Sequence, residues 1–213
     1  MKNTKKYNVR SIALMAVLGA LSAVLMAVNF PLPFAPPFLK FDIAEAPGLF
    51  AGFFMGPGAA SVVIVLKNLL KLVLQGSDTM YVGELSNIIG SLGFTLPAAF
   101  IYQHRRDIKG ARIALITAPV IGSAVAICTN LFIIFPMYSN VMGLPMEAIV
   151  EMCAAVNPLI HDLPTLMIFG VTPFNLIKLS ATAFVTWVLY KRVGNYLRSL
   201  VQRGSAPAAN TAH

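Results

Sequence analysis

Between Arg112 and Glu147 the chain reads IALITAPVIGSAVAICTNLFIIFPMYSNVMGLPM, with no charged side chain. About 20 apolar residues, rising 1.5 Å each, cross a hydrocarbon core of roughly 30 Å. This stretch is therefore long enough to hold a complete membrane span. Working outward, residues 11–39 and 85–104 are also free of charge. Across all 213 residues, 57% are hydrophobic and 11% charged, and the mean hydropathy is +0.75. Soluble domains carry roughly 25% charged residues, and a soluble fold of this composition would expose large apolar patches. The composition excludes an ordinary soluble enzyme, a nucleic-acid-binding domain and a disordered chain. It describes an all-α integral membrane protein in a lipid bilayer.

Six helices account for the pattern, at about 11–28, 43–55, 59–75, 84–103, 112–136 and 172–191, in one membrane domain over residues 1–203. The first follows a basic start but is longer than a signal-peptide core, so it reads as a retained helix. The second is short and ends at the turn Gly56-Pro57-Gly58,. Even parity places both termini on one side. Lys2, Lys5, Lys6 and Arg10, then Arg105, Arg106, Lys109 and Arg112, then Lys191, Arg192, Arg198 and Arg203 all fall on that side. They make up 12 of the 16 basic residues, and the positive-inside rule makes their face cytoplasmic. The net charge of +8 thus lies at helix ends and forms no nucleic-acid patch,. Trp187, Tyr190 and Tyr102 at the inner helix ends suit an interfacial aromatic belt.

The first outer loop, Asn29 to Asp42, is rich in proline and phenylalanine, and is either an interfacial connector or a lid over a pocket,. The long loop at 137–171 is expected to carry a short amphipathic helix near Pro145–Val156. The tail from Gly204 to His213 is expected to be disordered. Cys128 and Cys153 are too few for a disulfide framework and read as small hydrophobes,.

Polar residues inside spans are costly and usually face a cavity or a partner. Lys67, Lys71 and Gln75 form an i, i+4, i+8 stripe on the third helix,. Glu84 and Asn87 open the fourth, Asn130 lies in the outer third of the fifth, and Asn175 and Lys178 share a face of the sixth,. Their shared depth describes a polar-lined pocket open to the outside. Structural roles compete for each residue. Lys71 and Lys178 can snorkel to headgroups, Lys67 can pair with Glu84 or Asp42, and Asn87 and Asn130 can act as interhelical glue. No P-loop, zinc-protease or nucleophile-elbow motif occurs, the three histidines fit no metal spacing, and His161-Asp162 reads as a solvated loop pair. No catalytic residue, metal or cofactor is expected. Ala16 and Ala20 on the first helix, then Ala23 and Ala27, have the small-x-x-x-small spacing that lets another helix approach,.

Several motifs together resemble the riboflavin-binding S component of energy-coupling factor (ECF) vitamin transporters, over about residues 10–192. They are Phe38-Leu-Lys-Phe-Asp42 with Pro47, Gly56-Pro-Gly58 followed by Lys67-Asn68, and Gly83-Glu-Leu-Ser-Asn87. Asn130 with Pro136 and Tyr138, and Asn175-x-x-Lys178, complete the set. The resemblance implies a six-helix S-component bundle in the cell membrane that captures riboflavin from outside as transported substrate. It implies a transmembrane coupling subunit and two ABC ATPases as partners, with no ATPase in this chain. Ala16 and Ala20 would dock on the coupling subunit. Asn130, Asn175 and Lys178 would be the ligand's polar contacts, with Leu39, Asp42, Glu84, Asn87 and Phe174 around them. One departure is that Asp42-Ile-Ala-Glu45 stands where Asp-x-Ser-Asp is expected. An S component for another vitamin, or a non-transporting membrane assembly protein, are the competing readings.

Overall fold

A computed structural model describes residues 8–33, 35–36 and 38–205, with side chains as far as Arg192. Helix α1 (Val9–Ala27) starts at Asn8, whose side chain accepts from the Ser11 backbone N–H at 2.9 Å, satisfying one donor of the free helix end. The first loop then turns back through a short antiparallel pair, β1 (Phe30–Pro31) and β2 (Lys40–Phe41). The Phe30 and Phe41 rings lie 5.2 Å apart across it. Helices α2 (Ala46–Met55) and α3 (Pro57–Gln75) meet at Gly56, whose φ of +103° is one that residues with a side chain rarely adopt,.

A tight turn joins α4 (Val82–His104) to α5 (Ile108–Thr129). Asp107 caps α5 by accepting from the Gly110 N–H at 2.6 Å, and that bond holds its carboxyl below the usual carboxylate range. A Cβ at position 110 would collide with the Arg105 carbonyl oxygen, so this turn closes only over glycine. Helix α5 runs through a π-helical turn, Asn130–Ile134, into α6 (Phe135–Met142). Next come α7 (Met146–Ala154) and α8 (Leu163–Leu166), and a second π-helical turn, Met167–Val171, leads into α9 (Thr172–Ser205).

Among the described residues, five helical stretches are long and apolar enough to cross a membrane: Val9–Ala27, Pro57–Gln75, Val82–His104, Ile108–Met142 and Leu163–Arg192. The expected second span is different. Helix α2 has ten residues, about 15 Å at 1.5 Å each, and nine of them are buried. It is an interior helix, enclosed by α1, α3, α4 and α9, so it need not match the bilayer's thickness. The last two stretches exceed the expected 112–136 and 172–191 because each π-helical turn keeps a helix running. The loop between them shortens accordingly, and α7 lies where the amphipathic helix was expected. The tail beyond Ser205 lies outside the described residues.

The core is divided along the bundle axis. Toward the α4–α5 turn, Phe50, Phe53, Phe94, Tyr102, Leu115, Leu179 and Tyr190 form a continuous apolar cluster. At the other end, Phe135, Ile149, Cys153, Ile160 and Leu166 bind α6, α7 and α8 into a smaller one, with Phe38, Leu39 and Tyr138 against it. Large apolar side chains such as Val17, Val73, Ile116, Phe132 and Phe184 face outward, as a lipid-facing surface requires. Two of the three residues assigned to an aromatic belt are instead interior. Tyr102 and Tyr190 are buried and share a 3.0 Å hydrogen bond, because Phe53 of α2 stacks 4.4 Å from Tyr102 and closes the space. Trp187 is half-buried, with Arg112 and Lys191 5.6 and 4.8 Å from its ring centre.

Candidate ligand-binding site

A cavity of about 200 Å³ opens at the end of the bundle opposite the α4–α5 turn. It lies among the C-terminal halves of α3 and α5, the start of α4, the start of α9 and the first loop. Leu39, Asp42, Glu84, Asn87, Asn130, Phe174, Asn175 and Lys178 all line it. The structure therefore brings together every residue that sequence reasoning assigned to a ligand. Phe38, Leu39 and Phe174 supply apolar wall, and exposed Lys40, Gln75 and Asp78 stand at its rim.

Helix geometry aims the amides. Asn130 begins the first π-helical turn and donates through Nδ2 to the Ala126 carbonyl at 2.8 Å. Asn175, one turn past the second, donates to the Val171 carbonyl at 2.8 Å. Both therefore bond within their own helices, and Asn130 is not glue between helices as one reading held. π-helical turns inside α-helices recur at functional sites because the extra residue re-aims the side chains that follow.

Charges are paired more closely than sequence spacing indicates. Lys178 Nζ meets Asp42 Oδ2 at 2.9 Å and lies 4.0 Å from Glu45 Oε1. It is buried, so it does not snorkel. Lys71 Nζ meets Glu84 Oε1 at 2.7 Å, and Glu84 Oε2 accepts from Ser77 at 2.8 Å. Lys67, with no exposed surface, pairs with Glu45 Oε1 at 3.1 Å rather than with Glu84 or Asp42, and also donates to Ser91 at 2.9 Å. The reason is positional. Glu45 sits at the N-terminus of buried α2 and reaches Lys67, while Glu84 meets Lys71 one turn further along α3 and Asp42 meets Lys178 of α9. Glu45 lines the cavity and was not among the sequence candidates. The only signal was its place in the departure Asp42-Ile-Ala-Glu45.

Outside the spans, His161-Asp162 has a structural role. Asp162 caps α8 and accepts from the Thr165 hydroxyl and backbone N–H, which hold its carboxyl below the usual carboxylate range. Burial pushes the Cys153 thiol up to about 11, which keeps it unreactive.

The model of the family "ECF transporter, substrate-specific component" matches residues 10–190. The chain belongs to the substrate-specific (S) components of ECF transporters. This S component is 30% identical to the riboflavin transporter RibU of Staphylococcus aureus (strain TCH60) over 203 residues, covering 94% of this chain and 100% of that protein. It is 30% identical to the riboflavin transporter FmnP of Bacillus subtilis (strain 168), over 80% of this chain and 84% of that one. A solved S component of a bacterial ECF transporter superposes with a TM-score of 0.68 at 30% identity, covering 88% of this chain and 97% of the other. In this S component Ala16 and Ala20 lie exposed on α1, whereas Ala23 packs inside the bundle and Ala27 is exposed. The two small-residue pairs are thus not equivalent, and only the first presents both members to a neighbour.

Proposed function

We propose that this chain is the high-affinity riboflavin-binding subunit of an ECF-type importer in the cell membrane. The observation that carries this reading is the convergence of eight separately placed residues on one cavity, in a chain whose relatives over nearly its full length are riboflavin transporters. Riboflavin is a neutral tricycle with one hydrogen-bonding edge and a polyhydroxylated tail. Asn130 and Asn175 offer both donors and an acceptor, Lys178 offers donors only, and Phe174 with the first loop supplies apolar faces for the ring. Riboflavin is cargo, and we assign no resident cofactor. In this reading six helices span the bilayer, α2 included, with both termini cytoplasmic and the cavity facing out. The basic residues around the α4–α5 turn and the end of α9 support that orientation,. ATP hydrolysis belongs to two ABC ATPases acting through a transmembrane coupling subunit, which docks on Ala16 and Ala20.

The test is quenching of riboflavin fluorescence by the detergent-purified chain, with FMN and thiamine as competitors. Saturable quenching that thiamine does not reverse, weakened by Asn175→Ala and Lys178→Met, supports the assignment. No quenching by folded protein would sink riboflavin as the ligand and leave the cavity to another vitamin.

A further inference from the structure

Acidic side chains are distributed unevenly along the bundle axis. Of the chain's aspartates and glutamates, only Asp107 lies at the α4–α5 turn. Asp42, Glu45, Asp78 and Glu84 line the cavity, Glu147 and Glu151 lie on α7, and Asp162 caps α8. Asp107 is itself engaged, by the Arg105 guanidinium at 3.1 Å and by the Gly110 N–H. The segments before Val9 and after Arg192 contain no aspartate or glutamate. Yet Arg105, Arg106, Lys109, Arg112, Lys191 and Arg192 are exposed around the turn and the adjoining stretch of α9. The chain's acidic side chains offer this end no further counter-charge.

Two of these cations are held in place. Arg112 on α5 and Lys191 on α9 lie 5.6 and 4.8 Å from the centre of the Trp187 ring, within the range of cation–π attraction. The indole is fixed in turn. It lies nearly parallel to the buried ring of Tyr190, 6.4 Å away, and the Tyr190 hydroxyl bonds that of Tyr102. Among the described residues, neither Arg112 nor Lys191 meets a carboxylate. Arginine carries five N–H donors and lysine three, more than one ring can occupy, so the pair retains donors for an anion.

The surface beside the pair identifies the kind of anion. Ile116 follows Arg112 by one helical turn, and Val188 and Phe184 precede Lys191 by one and two turns, so each set shares a face of its helix. All three apolar side chains are exposed. Helix α5 runs away from the turn and α9 runs toward it, so both apolar rows extend from the cations into the membrane. A soluble anion would use the charges alone. A glycerophospholipid would use both, with its phosphate on the cations and its acyl chains along the rows.

We propose that Arg112, Lys191 and Trp187 form a site for the headgroup of an anionic phospholipid, whose acyl chains lie against Ile116, Val188 and Phe184. This inference is independent of what the cavity holds. A zwitterionic lipid brings the same phosphate, but its own ammonium offsets the attraction, so preference for a net negative headgroup is the signature of the site. A basic side chain at the membrane surface strengthens anionic-lipid binding roughly fivefold.

Trp187 is the chain's single tryptophan, so its fluorescence reports on this site alone. The full-length chain is reconstituted without riboflavin in mixed bilayers of phosphatidylglycerol and phosphatidylcholine. One lipid at a time carries brominated acyl chains, which quench the indole. Brominated phosphatidylglycerol is expected at Trp187 with a preference of roughly fivefold or more over brominated phosphatidylcholine. Arg112→Gln combined with Lys191→Gln should bring the two lipids within about twofold of each other. Arg106→Gln, which removes a cation from the same end, should leave the preference in place.

Raising the salt to about 1 M, where the screening length is about 3 Å, should weaken the preference of the wild-type chain, a readout that does not depend on the folding of any variant. Equal quenching by the two lipids in the wild-type chain would overturn the proposal and leave these cations to an acidic surface of a protein partner. Equal losses in Arg106→Gln and the double variant would overturn it as well, by reducing the site to diffuse surface charge. Inorganic phosphate that abolished the preference, where sodium chloride of the same ionic strength did not, would show that the site takes the free anion and not the lipid.

Discussion

At the cavity end of the bundle, three lysines (Lys67, Lys71 and Lys178) meet three carboxylates (Glu45, Glu84 and Asp42). At the opposite end, the interior between α2, α4, α5 and α9 is filled by rings and small apolar side chains, and its polar contacts include the hydroxyl pair of Tyr102 and Tyr190 and the Gln103 amide on the Gly52 and Phe53 carbonyls. The two ends are held together for different reasons. The aromatic end is held by burial and dispersion, which tolerate changes of identity if volume is kept. The charged end is held by pairing, which fails when one partner is removed because the other is left uncompensated in a low-dielectric interior. A helix bundle that must keep a polar cavity open within a membrane needs the first kind of end to anchor the second.

The largest expected effects test that division directly. Lys67→Met strands Glu45 and should destabilise the detergent-solubilised protein by about 3–5 kcal/mol. Adding Glu45→Met should recover most of the loss. Phe53→Ala should cost a similar amount, about 3–5 kcal/mol, with no second substitution restoring it and with the affinity for riboflavin retained by the folded fraction. Thermal unfolding followed by riboflavin quenching checks both, and rescue of the Phe53 variant by a charge change would break the comparison. Gly110→Ala comes next, because its Cβ would collide with the Arg105 carbonyl oxygen. Opening that turn should cost about 1–3 kcal/mol without altering riboflavin affinity at the far end. Smallest is Tyr102→Phe, which removes the hydroxyl pair and should cost about 0.5–1.5 kcal/mol. A ligand affinity that moved with Tyr102 would show that the two ends are coupled.

Legibility followed the same division. A lysine or asparagine inside an apolar run is conspicuous because lipid penalises it, so the depth of Lys67, Asn130, Asn175 and Lys178 could be read directly, and with it the convergence of the last three on the cavity, which Lys67 does not line. The partner of each charge could not. Only the rotation and height of α2 against α3 assign Lys67 to Glu45, and Glu84 to Lys71 one turn further on. Tyr102 and Tyr190 suggested a belt because they sit near helix ends. The rings of α2 draw them inside, and that α2 is enclosed by protein was not legible, because apolar composition does not distinguish such a helix from a lipid-facing one.

By itself, the sequence determined that this chain is a helical membrane protein with most of its basic residues at helix ends and polar residues gathered at one depth. Both are properties of the solvent each residue must face, and a residue declares that preference whatever its neighbours. The tertiary structure decided that α2 is interior, that π-helical turns carry α5 and lead into α9 at the cavity wall, and that Lys67 pairs with Glu45. Those depend on which surfaces meet. In a bundle, contact is set by packing between helices far apart in the chain, and no local pattern records it.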